Sequence, residues 1–599
     1  MPLDEQRQQM PAPSEFIVFD DFSGGMNTQS ARQGLDPKFA SWMENLQPVA
    51  SNNLLGVQGP VAALATLTGE TIVKVYPGLI GTQDYLIAFC ASGAGYTVTV
   101  AGAVGQAATG GTITLFAPAG TFMPTGGDLT TLNAQRFLIA DTQAGYCTWD
   151  GSVFVQPGGV SPNFAVTNIG SGYTNGATAA ITGGSGTGAT ANVVTSGGTV
   201  TGLTLTNAGT GYLAGDTLTV TISPVSGGSG ATANGHVWPF ISPRPSTIAV
   251  AFGRVFMAVG RTLITTGTGS ATFGSGYDDM GATSVTTTLS DVDLIHQITA
   301  LRFLENYLYI VGDNSVKSIG GISISGSTTS FTITTLSSDQ GTTFQNTVLS
   351  YNRLIIFANV VGVFAVFGAS VEKISDEMDG IFRGIDATQT LVAAVNDVNN
   401  IHTYMLLVKY NDPITGKRSI MLSYAGKRWY LISQGTGVTF ICTSVLAGHA
   451  DTFATSGSDL TQIIQDTANP LAWKLSSAMT AKGNPIRDKR IQRVGVAQTV
   501  NAISDLSLTI DTENGIAPVT LTKQFAVMII QNNSLKTLTF TNSLGQTLSF
   551  TAVGFVASHT AGSNATGRWI GFTANGTLNG ISLQGFFLEY QPGAMWGRG

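Results

Sequence analysis

The side chains able to do chemistry in this chain are few and widely scattered. Its five histidines (His236, His296, His402, His449 and His559) show no HxxxH or comparable spacing, so no pair is set to share a metal. Cys90, Cys147 and Cys442 are too few for a disulfide framework and lack zinc-site spacing, which predicts buried free thiols. No GxSxG elbow lies between a strand and a helix, and no GxxxxGK[ST] phosphate loop occurs. The adjacent acids Asp278–Asp279 and Asp376–Glu377 are the residue types of glycoside hydrolysis, yet neighbouring acids on turns are expected to be solvated. No catalytic group, metal or cofactor is assigned, and an enzyme is not expected.

Basic residues cluster locally: Lys417, Arg418, Lys427 and Arg428, then Lys482, Arg487, Lys489, Arg490 and Arg493. In one subunit these are ordinary surface charge. Multiplied around a ring axis, the second group could line a channel and meet DNA phosphates. The formal net charge of −7 gives no global nucleic-acid signature and suits a conduit through which DNA must slide.

The elements that must position these groups are strands. The chain has 599 residues, 74 of them Gly, with only 11% charged residues and abundant Thr, Ser and Val. Thr and Val favour strands and Gly supplies tight turns, so an all-β protein is expected. The N-terminus is polar and acidic, unlike a signal peptide, and no apolar run reaches membrane-spanning length.

A unit recurs about every 50 residues, marked by Tyr85, Arg136, Arg254, Tyr307, Arg353, Tyr404 and Phe453. That period predicts a β-propeller of six to eight four-stranded blades over 56–160 and 236–475. The one long gap holds a Gly-rich insert at 161–235 with its own repeat, TNIGSGY at 167–173 and TNAGTGY at 206–212. Residues 476–599 read as a β-sandwich-like C-terminal domain, or as strands completing the last blade plus a cap. SSDQGTTF at 337–344 fits the sialidase Asp-box pattern, a hairpin device whose Asp accepts turn N–H groups while the aromatic packs inside a blade.

Residues 1–55 read as an arm carrying a short helix from Asp36, with Phe39, Trp42, Met43 and Leu46 on one face. These residues, with Phe22, pack either on the chain's own body or on a neighbouring subunit.

The DFSGGMN motif at 21–27, followed by ENL at 44–46, resembles the start of tail nozzle and hub proteins of short-tailed phages. The stretch NRLIIFANVVGVFAVFG…EKISDEMDGIF at 352–382 resembles their most recognisable blade. The resemblance covers the arm, the propeller and the general order of the C-terminal part, but not the insert. It implies a packaged-DNA-stabilising virion protein, assembled in the host cytoplasm as a homohexamer below the portal and its adaptor. Its partners would be the portal–adaptor protein, tail fibres or spikes, and double-stranded DNA passing non-specifically through the lumen. The acidic segment 372–386 is then expected to be an exposed loop at a ring interface or lumen. Two rivals remain: a receptor-binding or glycan-degrading tail adhesin built on the propeller, and an unrelated bacterial propeller enzyme.

Overall fold

The computed structural model describes residues 14–269, 276–289, 296–325, 328–386, 388–412, 416–434, 437–500, 506–521, 540–541, 547–548, 555–578 and 582–595. Its architecture is a seven-bladed β-propeller, with a β module inserted between blades 2 and 3 and a β-sandwich built from both chain ends. The first six blades are consecutive antiparallel meanders. They begin with the inner strands Ile72–Ile80, Asp128–Leu132, Thr247–Ala251, Ile298–Leu304, Leu349–Tyr351 and Val392–Val398. Blade 7 takes three strands from Phe440–Leu446, His449–Ser456 and Asp459–Ile463, and its outer strand is Ala63–Thr66 from before blade 1. That N-terminal strand closes the ring. Inner strands of successive blades pack side by side around the circle, and blade 7 meets blade 1 again.

The sequence period has a local cause. In blades 2 to 7 the turn from first to second strand is a two-residue left-handed pair: Asn133–Ala134, Phe252–Gly253, Glu305–Asn306, Asn352–Arg353, Asn399–Asn400 and Ala447–Gly448, all at positive φ. Such turns match the natural strand twist and favour Asn and Gly. Six of the seven marker residues fall inside the second strand of a blade, and Arg353 lies in the turn just before Leu354–Asn359.

The insert is a six-stranded sheet from Ala165–Ser171 to Ser229–Gly235, and its repeat folds twice the same way. Asn168 Oδ1 accepts the Gly170 N–H at 3.0 Å, and Asn207 Oδ1 accepts the Gly209 N–H at 2.9 Å. Both glycines have positive φ, near +61° and +64°, and both lie under a buried tyrosine ring, Tyr173 and Tyr212. A Cβ at either glycine would stand 2.7 or 3.0 Å from that ring, so only Gly fits.

The described N-terminal residues, from 14 onward, form no helical arm. Phe39–Glu44 is a strand, pairing in parallel with Gly25–Met26 and antiparallel with Asp466–Ser477. The 39/42/43/46 spacing has another origin: Asn45 sits at φ +56°, which kinks the chain and brings both Met43 and Leu46 into the core. The Asn45 amide holds the kink, donating to the Ala472 carbonyl at 2.7 Å while its oxygen accepts the Ser433 N–H at 2.7 Å. Sheet partners on both sides outweigh the weak local helix signal.

The terminal domain is a sandwich. One sheet joins Leu46–Ala50, Asn53–Gly56, Ser582–Met595, Arg487–Val500 and Phe555–Gly562, with Glu15–Phe19 added to Ser582–Met595. The other continues from blade 6 through Gly25–Met26, Phe39–Glu44, Asp466–Ser477, Ile570–Leu578 and Leu506–Thr512 to Gly515–Leu521. Phe572 and Phe586 stack across the two layers at 4.1 Å, and Phe19 meets Phe572 edge-on at 5.2 Å. The domain therefore starts at both ends of the chain, not at residue 476.

Candidate functional site

The strand Arg487–Val500 carries most of the basic cluster, and its alternation divides it. Lys489 points inward and is 3% exposed. Its ammonium donates to the carbonyls of Asn484, Arg487 and Arg568 at 2.9–3.2 Å, and burial pushes its pKa down. An ammonium so enclosed is a structural pin and cannot meet a phosphate, which removes Lys489 from the DNA-facing set. Arg487 is half-buried and donates through Nε to the Gly593 carbonyl. Lys482, Arg490 and Arg493 are exposed; Arg490 reaches Asn564 Oδ1 at 3.2 Å, and Arg493 stands 3.9 Å from Glu589. In the other basic group, two of the four cations are ion-paired. Arg418 is held by Glu44 and Asp412, Lys417 by Asp386, and Arg428 donates to the Pro48 carbonyl. Hydrogen bonds from Lys417 and Thr388 hold the Asp386 carboxyl at about 2.

Of the five candidate contact residues near the N-terminus, Phe22, Met43 and Leu46 are buried in the chain's own core at 5%, 0% and 0% exposure. Phe39 and Trp42 are half-buried; the Phe39 ring lies against Gly24, and the Trp42 indole N–H donates to Glu44 at 2.9 Å. The exposed apolar residues of this region are Phe16 and Val18, on the outward face of Glu15–Phe19. Sequence reasoning missed them, although the alternation of EFIVF could have marked that face.

Three further expectations need correction. Asp278 and Asp279 are not solvated: both are buried, and Asp278 Oδ2 accepts the Ser161 hydroxyl and lies 2.6 Å from His236 Nε2. Ser, His and Asp meet here, but the carboxylate takes the place between the other two that a nucleophilic triad gives to histidine. The serine proton points at the carboxylate and not at the imidazole, and the cluster pins the neck of the insert to blade 3. The 337–344 motif is no blade hairpin. It links blade 4 to blade 5, the Ser337 hydroxyl donates to Asp339, and the turn N–H of Gln340 goes to Ser337 instead of the carboxylate. The segment 372–386 is largely docked: Met378, Ile381 and Phe382 are buried, and the Thr28 N–H donates to the Glu377 carbonyl.

Two cavities of ≈ 350 and ≈ 550 Å³ occupy the propeller axis, and both are lined by Leu129, Thr130, Thr131 and Arg302. Ties between blades line this axis. Asp128 accepts the Thr247 hydroxyl at 2.6 Å and the Ile248 N–H at 3.1 Å, with Arg302 at 3.8 Å. Arg302 Nε donates to the Val348 carbonyl, and the Tyr76 hydroxyl to Asn346. Among the described residues, the axis is lined by these hydrogen bonds and the two cavities. Among the described residues, no three His, Cys, Asp or Glu side chains converge as a metal site, and no helix is long and apolar enough to cross a membrane.

No protein-family model matches the chain, and no curated protein matches it. Among solved structures, BamB from Moraxella catarrhalis aligns over 68% of this chain and 97% of its own, at 13% identity and a TM-score of 0.33. That likeness is too slight to carry an argument, and the propeller assignment rests on the blade topology.

Proposed function

We propose that the chain is the structural subunit of a short-tailed phage nozzle. In this reading a homohexameric ring below the portal and adaptor retains packaged DNA and lets it pass on infection. The supporting observation is where the molecule leaves unsatisfied surface. Hydrogen bonds between blades line its own axis, and in this reading the conduit lies between copies. The sandwich offers surfaces for such contacts at two opposite edges. Among the described residues, Glu15–Phe19 pairs only with Ser582–Met595 and exposes Phe16 (52%) and Val18 (53%). At the other edge Gly515–Leu521 pairs only with Leu506–Thr512 and exposes Ile516 (72%). Two different edges on one subunit are the requirement for head-to-tail contacts, which close into a ring when the rotation between subunits permits. Edge strands invite pairing with a further strand; Pro518 blunts this in Gly515–Leu521, where the contact would be through side chains such as Ile516.

Incubating the purified protein with the portal–adaptor complex and imaging the mixture by electron microscopy tests the reading. A ring seated coaxially under the adaptor is expected. Particles that stay apart, with this protein monomeric, would sink it.

A further inference from the structure

On the flank of blade 4 that faces blade 5 lies an open cleft of ≈ 570 Å³. Strand register arranges its floor in two rows. Tyr309 pairs with Ser318, and Ser318 with Thr334. Beside that row stand Tyr307, the bulge at Gly320 and Gly321, and Thr332. Tyr307 and Tyr309, two apart on one strand, present their rings on the same face with centroids 6.3 Å apart.

Tyr307 is 48% exposed, a large aromatic surface left toward solvent. Its ring rests on Gly320, where a Cβ would stand 3.0 Å from the ring edge, while a Cβ at Gly321 would meet open space. The turn at Gly368 and Ala369 of blade 5 forms the opposite wall. The lining contains no Lys, Arg, Asp or Glu.

These features select a ligand chemistry. An aromatic face is electron-rich and attracts weakly positive C–H groups, such as those on the face of a pyranose ring. Hydroxyls of Thr both donate and accept, as sugar hydroxyls do, so the exposed Thr332 and Thr334 complement a saccharide edge, while Ser318 lies buried in the floor at 6% exposure. A phosphate or sulfate ligand would call for a cation that the cleft lacks. A purely apolar ligand would leave the hydroxyl rows without partners.

We propose that this cleft binds a neutral glycan, with one hexose stacked on Tyr307 and its hydroxyls bonded along the threonine rows. The proposal stands apart from the conduit reading, and either can fail without the other.

The test uses the full chain with maltohexaose, cellohexaose and chitohexaose as neutral probes and 3′-sialyllactose as a charged one. Binding is followed by saturation-transfer NMR and titration calorimetry. At least one neutral hexasaccharide should bind saturably, and Tyr307→Ala should weaken it tenfold or more. Gly321→Gln, which fills the open space without touching the ring platform, should do the same at unchanged Tm. Val445→Ala, an exposed residue on blade 7, should leave binding unaltered. The proposal is overturned if no neutral probe binds, if sialyllactose binds better, or if Tyr307→Ala and Gly321→Gln both bind as the parent does.

Discussion

Lys489 and Arg490 are neighbours in sequence and opposites in role, because a strand turns successive side chains to opposite faces. Lys489→Ala removes an ammonium holding three carbonyls, and its loss should cost about 2 kcal/mol with no change in DNA affinity. The triple variant Lys482→Ala, Arg490→Ala, Arg493→Ala should instead leave Tm near the parent value. It should also weaken DNA binding by the assembled ring and flatten its salt dependence, measured as the slope of log affinity against log salt. An equal effect of Lys489→Ala on DNA affinity would refute this division.

The buried acids give a second test. Burial pushes the Cys90 and Cys442 thiols up to about 12, and raises the Tyr76 and Tyr146 hydroxyls well above their ordinary value. In the unfolded chain these groups ionise near pH 8.5–10. The unfolded state therefore binds fewer protons than the folded one above that range. Stability is complete below about pH 8.5 and falls as pH rises toward 12, by about 1.4 kcal/mol per pH unit for each group between its two pKa values. Thermal melts from pH 7 to 11 should show a progressive fall in Tm. In the folded protein at pH 8, a thiol reagent should find none of Cys90, Cys147 and Cys442 reactive, since all three are buried.

Among the elements, legibility followed sequence distance. The blades announced themselves because each carries its own left-handed turn, as at Asn352–Arg353 and Asn399–Asn400, and a turn of two residues leaves a local mark. The insert was legible for the same reason, through Asn168–Gly170 and its copy Asn207–Gly209. The N-terminal strands were not. Phe39–Glu44 and Glu15–Phe19 also pair with strands more than 400 residues away, as the Ala40–Ser477 and Phe16–Glu589 pairings show, and no local pattern encodes such a match. The neck cluster was hidden likewise, since Ser161, His236 and Asp278 meet only through tertiary packing.

Two element-level expectations follow. Val160 and Val237 form a bridge at the base of the insert, so its two ends already lie together. Replacing 164–234 by a short Gly-Ser linker should keep the β circular-dichroism signature and lower Tm by roughly 3–8 °C. The loss reflects the Tyr212 packing shared with blades 2 and 3. Collapse of the whole fold would show that the module is integral to the propeller. The closing strand should behave oppositely. Leu67 is 3% exposed, beside the strand that seals blade 7, and Leu67→Ala should cost about 3 kcal/mol in urea unfolding. A cost below 1 kcal/mol would mean that the ring does not depend on its N-terminal clasp.

The whole molecule is a closed propeller whose two chain ends are woven into one sandwich, continuous through its second sheet with blade 6. Arg32 exemplifies the weave: it ion-pairs with Asp511 at 2.7 Å and donates to the carbonyls of Ser477 and Phe572, tying the start of the chain to its last third. On the nozzle proposal, such ties would help the subunit bear the load of packaged DNA. The nozzle account places the DNA bore among copies of the subunit. Cryo-electron microscopy of the purified full chain, paired with its mass in solution, decides the matter. The account predicts closed sixfold rings with an open lumen, near six times the 62.1 kDa chain mass, that Phe16→Asp with Val18→Asp dissolves into folded monomers. Particles of a single chain mass at every concentration, and no ring on the portal–adaptor complex, would contradict it.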